Sequence, residues 1–402
     1  MIQAFVRPPR PGTVLCLFCA GLLACNDLDS TARSAANQVS IDTLQGKVLV
    51  NNGESGIWEP DEAWAVTEEL RIGSLEGPEE ELFTNFATSV SLGPQGQLFV
   101  LDVDAGRISV FDREGNYLRH FGRRGRGPGE FSTPASMIWD GMARLWVPEG
   151  HAGRYTVFDS MGVFLKTEPR VLRISARVQH LMKNDGGGQF IDEGAREDAV
   201  LFIRVDTAGQ VLDTLAPVRF PEFPRAINGM ILSSSHVAIR QVSRYYFPRL
   251  IWSLGPDNTV WTSESGNLTL TQRSLEGDTL RIIETRHREV PLSRADERII
   301  SLGLAEVGLD RSDVRVVRPV IQSIHVLEDG HLLVQIVETI GEDSSLFDVF
   351  DPEGRFLGPL RFPVPITSKG MPAIFGDTLV GVTLGEFDEP YVVRVTIHRP
   401  RN

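Results

Sequence analysis

Four times the sequence runs through an alternating strand, an Asp, two variable residues, a Gly and a second strand: SVFDREGNYL (109–118), TVFDSMGVFL (156–165), FIRVDTAGQVL (202–212) and FDVFDPEGRFL (347–357). TQRSLEGDTL (271–280) is a weaker fifth copy. In Asp-x-x-Gly the carboxylate accepts from amides of its own turn and the Gly takes a positive φ, so the motif joins two antiparallel strands at little conformational cost. Asp112, Asp159, Asp206 and Asp351 are therefore read as turn formers rather than catalytic acids. The repeat glycines, at 115, 162, 209, 277 and 354, are separated by 47, 47, 68 and 77 residues. A period near 47 is that of one four-stranded propeller blade.

Upstream of each hairpin lies another strand pair with a tight turn, at 89–102, 136–147, 178–192, 250–262 and 324–335, and a sixth pair begins at 375–382, followed by YVVRVTI (391–397). Period-2 alternation with β-branched and aromatic residues marks the strands, and Gly, Pro, Asn and Asp mark the turns. The last unit runs out of chain after three strands, whereas AWAVTEELRIGS (63–74) is a strand without a blade. A ring of sheets has no open edge only if its first and last blades are joined. The pattern thus predicts an all-β fold: a six-bladed β-propeller of four-stranded antiparallel blades over residues 41–402, closed by the N-terminal strand. Removal of roughly residues 41–74 is then expected to destabilise the whole ring.

The longer intervals hold two insertions, 217–248 and 284–318. The first is Pro-rich and ends in Tyr245-Tyr246-Phe247; the second reads as a short helix with Ser293 and Asp296 as a capping box and Leu292, Ala295, Ile299 and Leu302 on one face. Loops carried on rigid blades are where binding specificity usually lives.

The amino terminus carries an address. Arg7 and Arg10 precede an apolar stretch from Thr13 to Ala24, the length of a secretory h-region and too short to span a bilayer. It ends in Leu22-Leu23-Ala24-Cys25, which resembles the bacterial lipobox, whose cysteine becomes the diacylglyceryl-modified first mature residue. The expected organisation is a signal peptide over 1–24, lipidated Cys25, and a flexible polar tether over 25–40. The three cysteines lie at 16, 19 and 25, so the body has neither a disulfide framework nor a thiol nucleophile. Two or three acyl chains hold a protein firmly on a membrane; inner and outer membrane both stay open, with the periplasmic face of the outer membrane favoured.

LFVLDVDAGRISVFDREGNYLRHFGRRGRGPGEFSTP (98–134) resembles the NHL-type repeat of bacterial six-bladed β-propeller lipoproteins, in which a GxGPGEF turn links one blade's outer strand to the next blade's inner strand. Gly127, Pro128 and Gly129 fit a type II turn there, with Phe131 as a packing anchor. The resemblance implies no single activity, since such propellers range from interaction scaffolds to lyases and lactonase-like hydrolases.

The natural site of a propeller is its central channel and top loops. His180, Trp252 and His325, on inner strands, are the candidate channel or ligand contacts. Two histidines without a third or a regular ligand spacing favour channel lining over a metal centre. His236 could join them only if its insertion folds over the channel. A formal charge of −13 argues against nucleic acid, even though Arg119, Arg123, Arg124 and Arg126 cluster locally. No Gly-x-Ser-x-Gly, His-Glu-x-x-His or phosphate-loop motif occurs. The favoured function is a membrane-tethered, monomeric binding scaffold for a protein or glycan, needing no cofactor. The alternative is a divalent-metal-dependent lyase or hydrolase working in the channel.

Overall fold

The computed structural model describes residues 39–84, 89–150, 152–171, 178–180, 189–196, 199–215, 217–219, 246–286, 292–340, 342–367 and 372–400. A hairpin, β1 (Ser40–Leu44) and β2 (Lys47–Asn52), precedes β3 (Ala65–Ile72). Blade 1 is β4 (Ser89–Leu92), β5 (Leu98–Asp102), β6 (Arg107–Phe111) and β7 (Tyr117–Phe121). Blade 2 is β8 (Ile138–Trp139), β9 (Leu145–Glu149), β10 (Arg154–Phe158) and β11 (Phe164–Pro169). Blade 3 is β12 (Val178–His180), β13 (Gln189–Arg196), β14 (Ala199–Asp206) and β15 (Val211–Thr214), with β16 (Val218–Arg219) added to β14. Blade 4 is β17 (Leu250–Leu254), β18 (Val260–Glu264), β19 (Thr269–Arg273) and β20 (Thr279–Thr285). Blade 5 is β21 (Ile321–Val326), β22 (Leu332–Ile336), β23 (Leu346–Phe350) and β24 (Phe356–Arg361). Blade 6 is β25 (Ala373–Phe375), β26 (Thr378–Leu384), β27 (Pro390–His398) and, as its fourth strand, β3.

The repeated turn works as its chemistry requires. Asp112 Oδ1 accepts from the amides of Glu114 (3.0 Å) and Asn116 (2.7 Å), and Asp159 Oδ1 from those of Met161 (2.9 Å) and Val163 (2.8 Å). In the degenerate fifth copy Ser274 takes the place of Asp and its hydroxyl accepts from the Asp278 amide at 3.3 Å. The glycine serves twice. Gly162 has φ +88°, and a Cβ there would lie 2.3 Å from the Phe121 ring on the outer strand of blade 1. Each such turn therefore nests on the preceding blade, and basic side chains fasten it: Arg119 donates to the carbonyls of Ser160 (2.9 Å) and Met161 (3.0 Å), and Lys166 to that of Thr207 (3.0 Å).

The core lies between blades. Phe99, Leu101, Ile108 and Val110 of blade 1 pack on Leu145, Val147 and Phe158 of blade 2, with Phe131 fully buried among them. The Gly127 carbonyl accepts from Glu130 N at 3.1 Å, and Gly129 has φ +73° behind Pro128, the geometry of a type II turn.

Closure follows the expected strand: β3 pairs antiparallel with β27, from Ile72 opposite Val392 to Ala65 opposite His398. The segment before it does more than the sequence reading foresaw. β2 lies parallel to β20, with Val48 opposite Arg281 and Asn52 opposite Thr285, so blade 4 becomes a six-stranded sheet. The chain then crosses to blade 5. There Asn52 donates to the Gly354 carbonyl (3.0 Å) and accepts from the Phe356 amide (2.8 Å), and Trp58 N donates to the Leu357 carbonyl (2.8 Å). One N-terminal strap thus fastens the outer edges of blades 4, 5 and 6. It ends in a clasp where the Arg399 guanidinium lies 4.4 Å from the centroid of the Trp64 ring and pairs with Asp377 at 2.6 Å.

Helix α1 (Arg294–Glu306) has the expected Ser293–Asp296 capping box. Its buried face differs from the expected one. Ile300, Gly303 and Leu304 are buried, whereas Ala295 is exposed and Leu302 is 54% exposed. The reason is the partner, because the helix packs on Tyr246 and Phe247 from the other insertion, a contact that heptad-like spacing cannot disclose.

Candidate functional site

In an antiparallel four-stranded blade the connection between strands two and three and the connection to the next blade leave from the same end. The blade-to-blade connections of this ring, which carry both insertions, therefore gather on one face, here called the loop face, and the Asp-x-x-Gly turns lie on the other. The ends of the two insertions meet on the loop face. Tyr246, Phe247, Ile300, Leu304 and Val314 form a separate hydrophobic cluster, against which Ile340 of blade 5 also packs. Two polar links set the geometry: Tyr246 OH donates to Asp296 at 2.7 Å, and Val317 N to the Tyr246 carbonyl at 2.7 Å. Segments 50 residues apart thus build one lobe with its own small core.

Buried polar side chains beneath this face hold loops in place. The second strands of blades 1, 2 and 4 end in an acid, in LFVLD, LWVPE and VWTSE. Asp102 accepts from the amides of Thr84 and Ala105, both at 2.9 Å. Glu149 accepts from the Ser132 amide (2.7 Å), the Thr156 hydroxyl (2.7 Å) and Arg154 Nε (2.7 Å). Burial alone would raise the Glu149 pKa, but the Arg154 guanidinium, the Ser132 amide and the Thr156 hydroxyl together hold it below its ordinary value. Glu264 pairs with Arg315 at 2.8 Å. Between blades 2 and 3, Asp192 takes both Arg170 (2.6 and 2.8 Å) and Tyr155 OH (2.6 Å), all buried, and burial first and the Asp192 carboxylate second push the Tyr155 phenol far above its ordinary value. From the sequence Asp102 reads as tying a strand turn with Asp104 and Arg107, whereas Glu149 and Glu264 give no reading of their own, although the recurrence of an acid at the end of the second strand was a usable signal. The arginine cluster is likewise engaged: Arg123 with Glu130 (2.6 Å) and Arg124 with the Asp104 carbonyl (2.6 Å).

The inner strands place the three channel candidates differently. Trp252 is 1% exposed, edge-on to Phe202 at 4.8 Å, and its indole N donates to Glu193 at 2.5 Å. It belongs to the core between blades 3 and 4, because the register of β17 turns it toward blade 3 rather than the axis. His180 pairs through its backbone with Phe190 on β13, and its side chain lies outside the described residues, as do Cys25 and His236. His325 stands on β21, separated from β12 by β17.

A small network assigns the proton at His325. Gln335 donates its amide N to the carbonyls of Ser344 (2.8 Å) and Ile366 (2.7 Å), so its oxygen is the acceptor. The Ser323 hydroxyl donates to that oxygen at 2.8 Å and is left to accept from His325 Nε2, also at 2.8 Å. Ser323 is therefore oriented away from nucleophilic use, and a metal at His325 would have to take Nδ1. Among the described residues no three His, Cys, Asp or Glu side chains gather as a metal-holding group.

One buried acid stands apart. Asp348 on β23 is 7% exposed and opposite Val334 and Pro359, and among the described residues nothing donates to its carboxylate. Alternation puts it on the face of Leu346 and Phe350, toward the core shared with blade 4. Burial pushes its pKa up to about 7.

Comparison with known proteins agrees with this architecture. A family model described as a 6-bladed β-propeller matches residues 74–144, the approach to blade 1, that blade and the first strand of blade 2. A Bacteroides fragilis protein described as an exported protein shares 12% identity at a TM-score of 0.50, over 88% of this chain and 100% of that one. A member of the DUF4221 family from Bacteroides vulgatus shares 10% identity at a TM-score of 0.50, over 84% and 99% of the two chains. Virginiamycin B lyase of Staphylococcus aureus aligns at 13% identity and a TM-score of 0.42, over 83% and 99%. No curated protein matches the sequence. The chain is a six-bladed β-propeller, closed by a strand from its own N-terminal region. At these identities the likeness speaks for the fold alone.

Proposed function

We propose that this propeller is a binding module of the bacterial cell envelope, tethered to a membrane through Cys25 and presenting its loop face to a protein or glycan. The observation that carries the reading is the lobe. Two insertions distant in sequence converge on one face and are fixed there by a dedicated hydrophobic cluster. The acids beneath that face hold loops rigidly, and rigidly held loops are the usual carriers of recognition. The Leu22-Leu23-Ala24-Cys25 motif and the likeness to an exported Bacteroides fragilis protein support the envelope address, with the periplasmic side of the outer membrane preferred.

A photo-crosslinking residue at Leu302 in the lobe, compared with one at Leu165 on the outer edge of blade 2, tests the reading in intact cells. A discrete adduct from position 302 and none from 165 is expected, and identical adducts from both would overturn it. Metal analysis tests the catalytic alternative: a stoichiometric divalent ion lost in both His180→Ala and His325→Ala would replace the scaffold reading with a metal-dependent lyase or hydrolase. Fatty-acid labelling that persists in Cys25→Ser would refute the tether.

A further inference from the structure

The loop face carries a second feature, at the β26–β27 turn of blade 6 and the connection into blade 1. Phe387, at the tip of the β26–β27 turn, is 72% exposed, the highest value of any large hydrophobic side chain among the described residues. It is held out by its own turn. Gly385 N donates to the Glu389 carbonyl at 2.8 Å, Asp388 N to the Gly385 carbonyl at 3.2 Å, and Phe387 N to the Glu389 carboxylate at 2.8 Å. Tyr391 OH secures the same carboxylate from the other side at 3.1 Å, and Asp388 has φ +62°, where few non-glycine residues rest. A turn whose backbone is already bonded presents the ring with little further backbone ordering to lose when a partner arrives.

The connection into blade 1 leaves from directly beside this turn. Ile72 pairs with Val392, and a Cβ at Gly73 would lie 2.9 Å from the Pro390 carbonyl. A bond from Ser74 N to the Glu81 carbonyl (3.1 Å) closes the loop that follows, which exposes Leu75 and Leu82. Between them, SLEGPEEEL (74–82) and GEFDEP (385–390) contain seven acids and neither Lys nor Arg. Of the acids, Glu79 is paired with Arg107 and Glu389 is used inside its own turn, so Glu76, Glu80, Glu81, Glu386 and Asp388 give the patch its charge.

We infer that Phe387, flanked by Leu75, Leu82 and this acidic rim, is a docking surface for a protein segment whose apolar side chains are flanked by Lys or Arg. Charge complementarity decides the occupant. A bilayer of anionic lipid would be repelled by the same acids that attract a basic segment. The inference deepens the binding reading above and rests on it, but it concerns blades 6 and 1 rather than the lobe.

The test uses the purified protein and a fluorescent amphipathic peptide of Leu and Lys, with the same peptide carrying Glu for Lys as its counterpart. The Leu/Lys peptide should bind, the Leu/Glu peptide should not, and Phe387→Ser should weaken binding by roughly tenfold, as loss of an aromatic anchor does. Glu386→Lys should weaken it about fivefold, while Glu284→Lys, the same charge change at an exposed position on β20 of blade 4, should stay within about twofold. Unchanged affinity of Phe387→Ser, or equal losses from Glu386→Lys and Glu284→Lys, would overturn the inference, since net charge alone would then explain binding. Phe387-dependent sedimentation with phosphatidylcholine vesicles would also overturn it and assign the turn to a membrane. If Phe387 is neutral while the Leu302 adduct persists, the lobe reading stands and only this surface falls.

Discussion

Asp348 should make this propeller lose stability as pH rises through the neutral range. Its carboxyl is raised from an ordinary 3.8 to about 7 because burial disfavours the charge and no donor compensates. The folded state therefore holds this proton more tightly than the unfolded chain does. Below about pH 4 both states are protonated and Asp348 costs nothing through ionisation; above about pH 7 the full penalty applies. At ~1.4 kcal/mol per tenfold, the rise corresponds to about 4 kcal/mol, of which about 3 develops between pH 4.5 and pH 8. Asp348→Asn keeps the shape and a buried polar group but cannot ionise. Other groups titrate equally in both proteins, so the difference between wild type and variant isolates this carboxyl. Urea unfolding at both pH values should show the variant gaining on the wild type by about 1 M in midpoint on going to pH 8, for a slope of ~3 kcal/mol per molar. Parallel curves, with the same gap at pH 4.5 and pH 8, would mean that Asp348 is solvated or paired in the folded protein, and the reasoning would fail.

Two further expectations concern the strap and the loop face. Asn52→Ala should cost about 1–3 kcal/mol, read as a lowered urea midpoint, because it leaves the buried Phe356 amide without its acceptor; a loss below about 0.5 kcal/mol would show that the strap does not carry blade 5. Glu149→Gln should lower the melting temperature at pH 7 and converge with wild type in acid. The folded-state pKa of Glu149 is depressed, so its stabilisation is present above the ordinary value and lost as pH falls through the folded one. A gap that stays constant from pH 7 to about pH 3 would contradict the assigned bonds.

The parts of this fold that could be read in advance are those where a single residue type has one job. Asp-x-x-Gly announces its turn because the side-chain acceptor and the left-handed glycine are both required locally, and Pro128-Gly129 does the same between blades 1 and 2. Other parts depend on pairing at a distance. KVLVNN gives no sign that it will lie parallel to residues 281–285, and the exposed position of Leu302 is decided by Tyr246, in another insertion. Trp252 reads as a channel residue by its place on an inner strand, whereas the face it occupies is fixed by register against β18. Phe387 is legible only as one apolar residue in an acidic turn; its exposure comes from bonds that Glu389 makes on both sides.

The strap also has a consequence for how the molecule is made. Ala65 finds its partner at His398, so the strand synthesised first among those of the ring is completed by the strand synthesised last. Until then Val66, Leu70 and Ile72 have no completed blade to enter, and a strand with one apolar face waits on β27. Contacts that span nearly the whole chain form slowly. A stalled or clipped chain that lacks β27 would forfeit the ring and leave a sticky end at each side of the gap, a natural handle for quality-control proteases.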